Sequence, residues 1–289
     1  MKFRAKLVDV TCIHQFTNIV GTIAKLVKLC TLRITRDKLY FILSEQFVSG
    51  GIRIWCELPQ GHFCDEYAMQ GVTPEANEIY LELCPENVLR ALKTGQSARW
   101  IKLKLTNKHT PCLTVEVELP SVGSYQRLVV HDIPVTIIKR RNWGDYTEPE
   151  IPNFDVSITM PVLKLLKNVV EKMKSLSNYM ILSANQKGEM KLSVETDMVA
   201  INTHFKDLFN PSWKKDGGDG GRQDKGISQQ DPTDFVQARI DIKRFAQFLS
   251  SQQVNPNRVI CNIIDSRLVH FYLMHDDFSL QYFMPVVSS

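Results

Sequence analysis

The second half of the chain repeats the order of elements predicted for the first half, and this repetition constrains the fold more than any single motif. The polar–apolar alternation of residues 2–8 recurs in VSITMP at 156–161, and a helical apolar period follows both segments. Further along, IYLELCPENVLRAL, which begins at Ile79, aligns residue by residue with VQARIDIKRFAQFL, which begins at Val236. The chain is therefore predicted to contain two copies of one domain.

Each copy is predicted to run strand, helix, three strands, strand, helix and three strands. Strands far outnumber helices, and the short connections between them favour antiparallel sheets over βαβ units, so the fold class is α+β. In the first helix, Ile13, Phe16 and Ile23 recur at helical spacing after Thr11, the predicted N-cap. The predicted helices span residues 11–29, 85–94, 161–176 and 242–251.

Residues 139–154, KRRNWGDYTEPEIPNF, interrupt every periodic pattern and contain two prolines. We interpret this stretch as a linker between an N-terminal domain, 1–138, and a C-terminal domain, 155–289. A chain of 289 residues has the length expected for two domains. Residues 209–233 are rich in Gly, Asp, Lys and Gln and poor in apolar residues, which predicts a disordered loop.

The composition is that of an ordinary globular protein, with 44% hydrophobic and 23% charged residues. No apolar run approaches the ~20 residues that span a bilayer, and the first residues, MKFRAK, do not resemble a secretory signal. The seven cysteines lack disulfide-like spacing, which indicates a reducing compartment. We expect a soluble intracellular protein. Its formal net charge of +4 is too small to establish nucleic-acid binding alone.

Motifs of the common enzyme classes are absent. The sequence contains no GxxxxGK[ST] or GxSxG motif, no GxGxxG after a strand, and no CxxC or HExxH. These absences argue against nucleotide, hydrolase and zinc sites, so neither a cofactor nor a metal ion is predicted.

Neighbouring acids and histidines nevertheless suggest one alternative, a hydrolase or nuclease. Adjacent residues on a strand point to opposite faces, so His131 and Asp132 cannot act together there. Two other groups are His204 with Asp207, and His275 with Asp276 and Asp277. Both are more simply explained as polar residues at strand ends. The cysteines are more simply explained as small buried hydrophobic residues.

Basic residues lie on all four predicted helices. Lys164, Lys167 and Lys174 share one stripe of the third helix because they are spaced in steps of three and four residues. A single lysine-rich face is usually only solvated, but repetition on four helices favours contact with phosphate groups. The candidate DNA-binding residues are Lys25, Lys28, Arg90, Lys93, Lys164, Lys167, Lys172, Lys174, Lys243 and Arg244.

Short stretches along the whole chain resemble one family. WCEL at 55–58, NEIYLEL at 77–83 and CLTVEVEL at 112–119 lie in the first half, and VVEKMK at 169–174 and SLQYF at 279–283 lie in the second. With the duplicated plan and the basic helices, they resemble the PCNA-like sliding clamps. Within that family, they are similar to the Hus-type subunits of the checkpoint clamp, the nine-one-one complex.

The resemblance implies two tandem clamp domains, with antiparallel sheets outside and two helices per domain on the inner wall of a ring. It implies a heterotrimer with subunits of the Rad-nine and Rad-one types, which encircles double-stranded DNA without sequence specificity and does not contact membranes. It further implies a nuclear protein, with an additional cytoplasmic pool as the alternative, that an ATP-dependent clamp loader places at damage sites. There it would recruit checkpoint-kinase activators and DNA repair enzymes without catalysing a reaction. A homotrimeric replication-type processivity clamp is the alternative within the class.

The resemblance also implies a peptide-binding pocket beneath the linker. An exposed apolar cluster beside a mobile segment is typical of interaction sites, although the same residues would serve equally to hold the linker in place. The candidate residues are Leu43, Ile151 and Phe154, together with Met284, Pro285 and Val286 near the last strand.

Overall fold

The structure is a computed structural model that describes residues 1–44, 51–120, 127–151, 153–211 and 231–287. The first half contains strands β1 (Lys2–Leu7), β2 (Cys30–Ile34), β3 (Lys38–Ser44), β4 (Arg53–Pro59), β5 (Glu66–Gln70), β6 (Ile79–Leu83), β7 (Trp100–Asn107), β8 (Pro111–Leu119), β9 (Arg127–Pro134) and β10 (Thr136–Ile137). Its helices are α1 (Val10–Leu26), α2 (Gln60–Phe63) and α3 (Pro85–Lys93). A 3₁₀ turn, Arg140–Tyr146, follows β10.

The second half contains strands β11 (Val156–Thr159), β12 (Tyr179–Ala184), β13 (Met190–Glu195), β14 (Ala200–Phe205), β15 (Val236–Asp241), β16 (Arg258–Ile264), β17 (Leu268–Met274) and β18 (Ser279–Pro285). Its helices are α4 (Leu163–Met173) and α5 (Ile242–Ser251). None of the helices in the described part of the chain has the length and apolar character needed to cross a membrane.

The strand pairing reproduces the duplication predicted from the sequence. All pairs are antiparallel. The order β1-β7-β8-β9 in the first half recurs as β11-β16-β17-β18 in the second, and β6-β2-β3-β4 recurs as β15-β12-β13-β14. The two halves are thus two copies of one arrangement, with a mainly antiparallel α+β architecture as expected.

The two copies meet at a strand pair that we call the seam, β4 with β18. Residues Arg53 to Glu57 pair with Phe283 to Ser279 in antiparallel register. Because of this pairing, strands from both halves form one nine-stranded sheet with the order β10-β6-β2-β3-β4-β18-β17-β16-β11. Backbone hydrogen bonds therefore continue across the boundary between the copies.

A continuous apolar core lies between the helices and the side of the sheets that we call the helix side. The opposite side is the outer face. On the helix side near the seam, the rings of Phe248 and Phe271 lie 4.7 Å apart and those of Phe248 and Tyr282 lie 4.9 Å apart. Aromatic pairs at such distances add to the stabilisation that burial of their large apolar area provides. The core therefore also crosses the boundary between the copies.

The first helix differs at both ends from the sequence prediction. Asp9, not Thr11, is its N-cap, since the Asp9 carboxylate accepts a hydrogen bond of 2.9 Å from the backbone N–H of Cys12. That bond holds the pKa of Asp9 below its usual value. The helix ends at Leu26 rather than at residue 29, because the next residue, Val27, has an extended backbone conformation.

Two further regions contain elements that the sequence analysis did not predict. Helical turn α2 and strand β5 lie between β4 and β6, and β5 pairs with β1. The alternation in β5 is only five residues long, with Tyr67 and Met69 half-buried, so its periodic signal is weak. The predicted linker likewise contains the whole 3₁₀ turn, and β10 lies just before the linker.

The predicted loop at 209–233 is partly anchored. The Phe209 carbonyl accepts a hydrogen bond of 2.8 Å from the Thr159 backbone N–H, and the Asn210 side chain donates to the Ser157 carbonyl at 2.8 Å. Residues 209–211 therefore lie beside β11, much as β5 lies beside β1. At the other end of the predicted loop, residues 231–233 form a turn in which the Asp231 carboxylate accepts hydrogen bonds from the backbone N–H and the hydroxyl of Thr233. Residues 212–230 fall outside the described residues.

Candidate nucleic-acid and partner interfaces

The four longer helices form one row on the helix side, in the order α3, α1, α5, α4. Helices α1 and α5 belong to different copies and meet beside the seam. The Gln247 side chain donates hydrogen bonds to the carbonyls of Lys25, at 2.7 Å, and Leu26, at 3.4 Å. A Cβ on Gly21 would lie 2.2 Å from the Gln253 side chain, so glycine permits this close approach. The row is thus continuous across the boundary.

The candidate DNA-binding residues project from this row. All are exposed except the half-buried Arg244. Lys25 lies in the last turn of α1, but Lys28 follows the helix, and Lys174 is the C-cap of α4 rather than part of its interior. The structure thus gathers the cations on four adjacent helices, with Lys28 and Lys174 just beyond helix ends. Arg90, Lys93, Lys164, Lys167, Lys172, Lys243 and Arg244 lie within helices.

Two of these cations have acidic partners on their own helix segments. Arg90 lies 3.3 Å from Glu86, and Lys174 lies 2.8 Å from Glu171. Exposed ion pairs of this kind are weak and screened by salt, so they leave both cations able to exchange a carboxylate for a phosphate. Within the described ranges, Lys164 and Lys167 have no carboxylate within 4.0 Å. The row therefore offers flexible positive charges without base-reading geometry.

On the outer face, the predicted linker crosses the nine-stranded sheet. The Trp143 ring stacks on Tyr80 at 4.5 Å, and its indole N–H donates to the Ile138 carbonyl at 3.1 Å. Further along, the Gln281 side chain donates to Glu148 at 3.3 Å. The linker is thus attached to strands of both copies.

Beyond Glu148, the end of the linker is held by stacked rings. Phe154 lies parallel to His270, with centroids 5.4 Å apart, and His270 stacks on Phe283 at 4.4 Å. His270 is fully buried, and the side-chain amide of Asn262 lies 3.0 Å from its Nδ1. Burial lowers the pKa of His270 to about 4, with a smaller opposing effect of a hydrogen bond between the imidazole and the Gln281 side chain. The imidazole is therefore neutral at neutral pH.

The structure separates the residues of the predicted peptide pocket. Leu43 and Met284 pack into the core on the helix side, so neither faces the linker. This corrects the prediction for these two positions, whose neighbours along the strand occupy the outer face instead. Phe154 is engaged by His270. Ile151 and Pro285 are half-buried, and Val286 packs partly against the core.

The acid–histidine groups are dispersed. Asp132 binds Lys108 at 2.6 Å, whereas the His131 ring lies 3.1 Å from the Thr94 hydroxyl. One cluster does form: Asp277 lies 3.0 Å from His62 and 3.4 Å from His275, and so joins α2 to the β17–β18 connection. Among the residues that the structure describes, no group of His, Cys, Asp and Glu could hold a metal ion.

The thiols are poor candidates for nucleophiles. Burial raises the pKa of Cys30 and of Cys64 to about 12 and raises the pKa of Cys12 as well. Cys56 and Cys261 are fully buried, and their pKa values are also raised. Since only the thiolate attacks, these cysteines act as apolar side chains.

Strands β9 and β14, each at the end of its sheet, were predicted as strands from the sequence but were not identified as candidate interfaces. Leu128 and Val130 on β9 and Ile201 on β14 are exposed. A usable signal was present, because Leu128 to Val130 are consecutive apolar residues, a pattern typical of a strand buried on both faces.

Solved structures share this arrangement. Proliferating cellular nuclear antigen (PCNA) from Entamoeba histolytica superposes with a TM-score of 0.70 and 11% identity, over 99% of each chain. PCNA from Thermococcus kodakaraensis gives 0.66 and 14% identity, over 99% of this chain and 100% of its own. At such low identity, the likeness shows the fold alone, which is the PCNA-like clamp fold.

Sequence relatives define the group more closely. The Hus1-like protein family model matches residues 1–288. Checkpoint protein HUS1 from Homo sapiens is 52% identical over 288 residues, 100% of both chains. Checkpoint protein hus1 from Schizosaccharomyces pombe is 27% identical, covering 96% of this chain and 94% of its own. The chain belongs to the Hus1-like family.

Proposed function

We propose that this chain is one subunit of a heterotrimeric checkpoint clamp, with the Rad-nine and Rad-one types as its neighbours, and that the ring encircles double-stranded DNA. The full-length similarity to relatives named checkpoint proteins supports the role. The observation that carries the ring is the seam itself. The same two kinds of strand that pair as β4 and β18 inside the chain recur as β14 and β9, and both lie at the ends of their sheets.

Strands β9 and β14, which we call the free edges, have the properties expected of interfaces. Within the described ranges, neither β9 nor β14 has a strand on its outer side. Leu128 is 52% and Val130 45% exposed, and Met198, just before β14, is 93% exposed. Unpaired edges with apolar side chains promote association, and proteins normally cover them. Pairing of β14 with a neighbour's β9-like strand, and of β9 with a neighbour's β14-like strand, would repeat the seam around a ring.

Assembly is tested by co-expressing the chain with subunits of the Rad-nine and Rad-one types and measuring the mass by light scattering. One copy of each is expected, and the chain alone should not form a trimer. Val130→Asp and Ile201→Asp should each weaken assembly by at least about tenfold, since each buries an unpaired charge. Val72→Asp, another exposed valine away from both edges, is the control. A homotrimer of the chain alone would support the processivity-clamp alternative and contradict the proposal.

The row of helices is the surface we assign to DNA. A sliding ring needs attraction to phosphates without base contacts, because a base-specific contact would arrest it. Exposed lysines on adjacent helices supply such attraction. In the assembled ring, Lys164→Ala with Lys167→Ala should reduce the slope of log affinity against log salt by up to about 1.8. Lys187→Ala with Lys206→Ala, outside the helices, should leave the slope unchanged. An unchanged slope in the helix variant would contradict the assignment.

The remaining parts of the proposal concern partners. An ATP-dependent loader would place the ring at damage sites in the nucleus, and the ring would recruit kinase activators and repair enzymes there. The chain would act as a non-catalytic platform, a role supported by the high pKa of its thiols. Its peptide-binding surface would include Ile151 and Pro285, the half-buried members of the original pocket prediction.

A further inference from the structure

A groove of about 640 Å³ lies on the outer face of the C-terminal sheet β14-β13-β12-β15. Ile181, Ser193 and Arg239 lie on three neighbouring strands and form its floor, since Ile181 is paired with both of the others. The turn at 266–267 and the residues at 286–287 form one wall. This groove is separate from the linker, the edges and the row of helices.

The equivalent face in the first copy is covered by the chain itself. There, the Ile138 backbone N–H donates to the Tyr80 carbonyl on β6 at 3.0 Å, and Trp143 then crosses the outer face and stacks on Tyr80. In the second copy, the Val287 N–H donates to the Arg239 carbonyl on β15 at 2.8 Å. The chain thus approaches both faces in a similar way, but no segment of the described ranges crosses the second face.

The chemistry of the groove selects its occupant. The Arg239 guanidinium lies 4.7 Å from the centre of the Tyr179 ring, which restricts its orientation. Arg267 is exposed at the turn. Among the described residues, neither arginine has a carboxylate within 4.0 Å, and Glu195 is the groove's only acidic lining residue. The Ser193 hydroxyl is buried without a hydrogen-bond partner in that part of the chain. The groove therefore offers hydrogen-bond donors and positive charge beside the apolar side chain of Ile181.

We propose that this groove binds an extended acidic segment of a partner protein. Its carboxylates would pair with Arg239 and Arg267, the geometry that guanidinium groups favour. An aromatic side chain would lie on Ile181, as Trp143 lies on Tyr80 in the first copy. Duplex DNA fits less well, because two arginines beside Glu195 offer far fewer phosphate contacts than the row of lysines.

The test uses the full chain and a fluorescein-labelled peptide with one Phe flanked on both sides by Asp and Glu. Fluorescence anisotropy should show saturable binding, and Arg239→Gln and Arg267→Glu should each weaken it by at least about tenfold. Ile181→Ser should weaken it as well, since the apolar contact is lost. Lys187→Glu makes the same charge change as Arg267→Glu at an exposed turn outside the groove and should leave binding unchanged. Circular dichroism confirms that each variant is folded.

Specific outcomes would overturn the proposal. A peptide with Lys and Arg in place of Asp and Glu should not bind, and equal binding would exclude recognition of carboxylates. If Lys187→Glu weakens the acidic peptide as much as Arg267→Glu, the attraction is only the general charge of the chain. If a DNA duplex displaces the peptide and its own binding depends on Arg239 and Arg267, the groove is a nucleic-acid site instead. None of these results depends on ring assembly.

Discussion

The seam and the free edges are built from the same two kinds of strand, which are paired with each other at the seam and lie at the ends of separate sheets at the edges. At the seam, β4 and β18 are joined, with Trp55 and Phe283 each only 1% exposed. At the edges, the corresponding strands β14 and β9 carry exposed Ile201 and Val130. The same two kinds of strand are thus paired once within the chain and, among the described residues, have no strand on their outer side at β9 and β14.

The helices beside the seam and the helices at the ends of the row differ in how their N-termini are capped. Helices α1 and α5, beside the seam, have Asp9 and Asp241 as N-caps, and both carboxylates accept backbone hydrogen bonds. Helices α3 and α4, at the ends of the row, begin after Cys84 and Val162 without a side-chain cap. Side-chain capping of helix N-termini is therefore present where the two copies meet and lacking at α3 and α4.

The largest effect on stability should follow removal of an aromatic side chain at the seam. Phe283→Ala removes a fully buried aromatic side chain and should reduce the free energy of unfolding by about 3–5 kcal/mol. Val130→Ala on β9 should change it by less than about 0.5 kcal/mol, because that side chain is exposed in the isolated chain. Urea unfolding of the isolated chain measures both. Equal losses would show that the edge is already covered, and the distinction between seam and edge would be wrong.

A smaller effect, confined to acid, should come from His270 beside the seam. Folding lowers its pKa from 6.5 to about 4, so the unfolded chain binds this proton more readily. The free energy of unfolding should therefore fall as pH decreases from 6.5 to about 4, by up to about 3 kcal/mol, and be unaffected above that window. His270→Phe, which preserves the ring stack, should flatten this slope. The exposed His109→Gln should not, and an unchanged slope in His270→Phe would exclude His270 as the source.

The smallest effect should distinguish the two kinds of helix. Asp241 accepts hydrogen bonds from the N–H groups of Lys243, at 2.8 Å, and Arg244, at 3.0 Å. Asp241→Ala should cost about 1 kcal/mol of unfolding free energy. At the start of α4, Val162→Ala should change it by less than about 0.5 kcal/mol, since no cap is lost there. Thermal unfolding compares the variants, and a matching loss at Val162 would remove the difference between the helix pairs.

Much of the fold could be predicted from periodicity. The strands and helices of the second half appear in the predicted order, because most of them carry a run of apolar residues with a clear strand or helix period. Strand β5 was missed because Tyr67 and Met69 give too short an alternation to separate from a loop. The N-cap was misplaced from Asp9 to Thr11 because both residue types cap helices and the choice depends on the local backbone.

For the candidate sites, the sequence located the basic residues better than the residues of the outer face. The helical cations were identified from spacing, because an amphipathic helix puts its charged residues opposite its apolar ones. Leu43 and Met284 were assigned to the outer face although they pack against the core, because both lie in strands that are buried on both faces, where an apolar residue gives no sign of the side to which it points. The groove around Arg239 was not found for a related reason: its lining comes from five separate stretches of chain.

By itself, the sequence determined that the chain contains two copies of an α+β unit, with basic helices and no familiar catalytic motif. These properties follow from local periodicity and composition, which neighbours in sequence decide. Only the tertiary structure decided that β4 pairs with β18, that β9 and β14 end their sheets within the described part of the chain, and that Phe154 lies on His270. Such contacts join residues far apart in the chain, and their geometry depends on which faces meet once the core has formed, which no local pattern encodes.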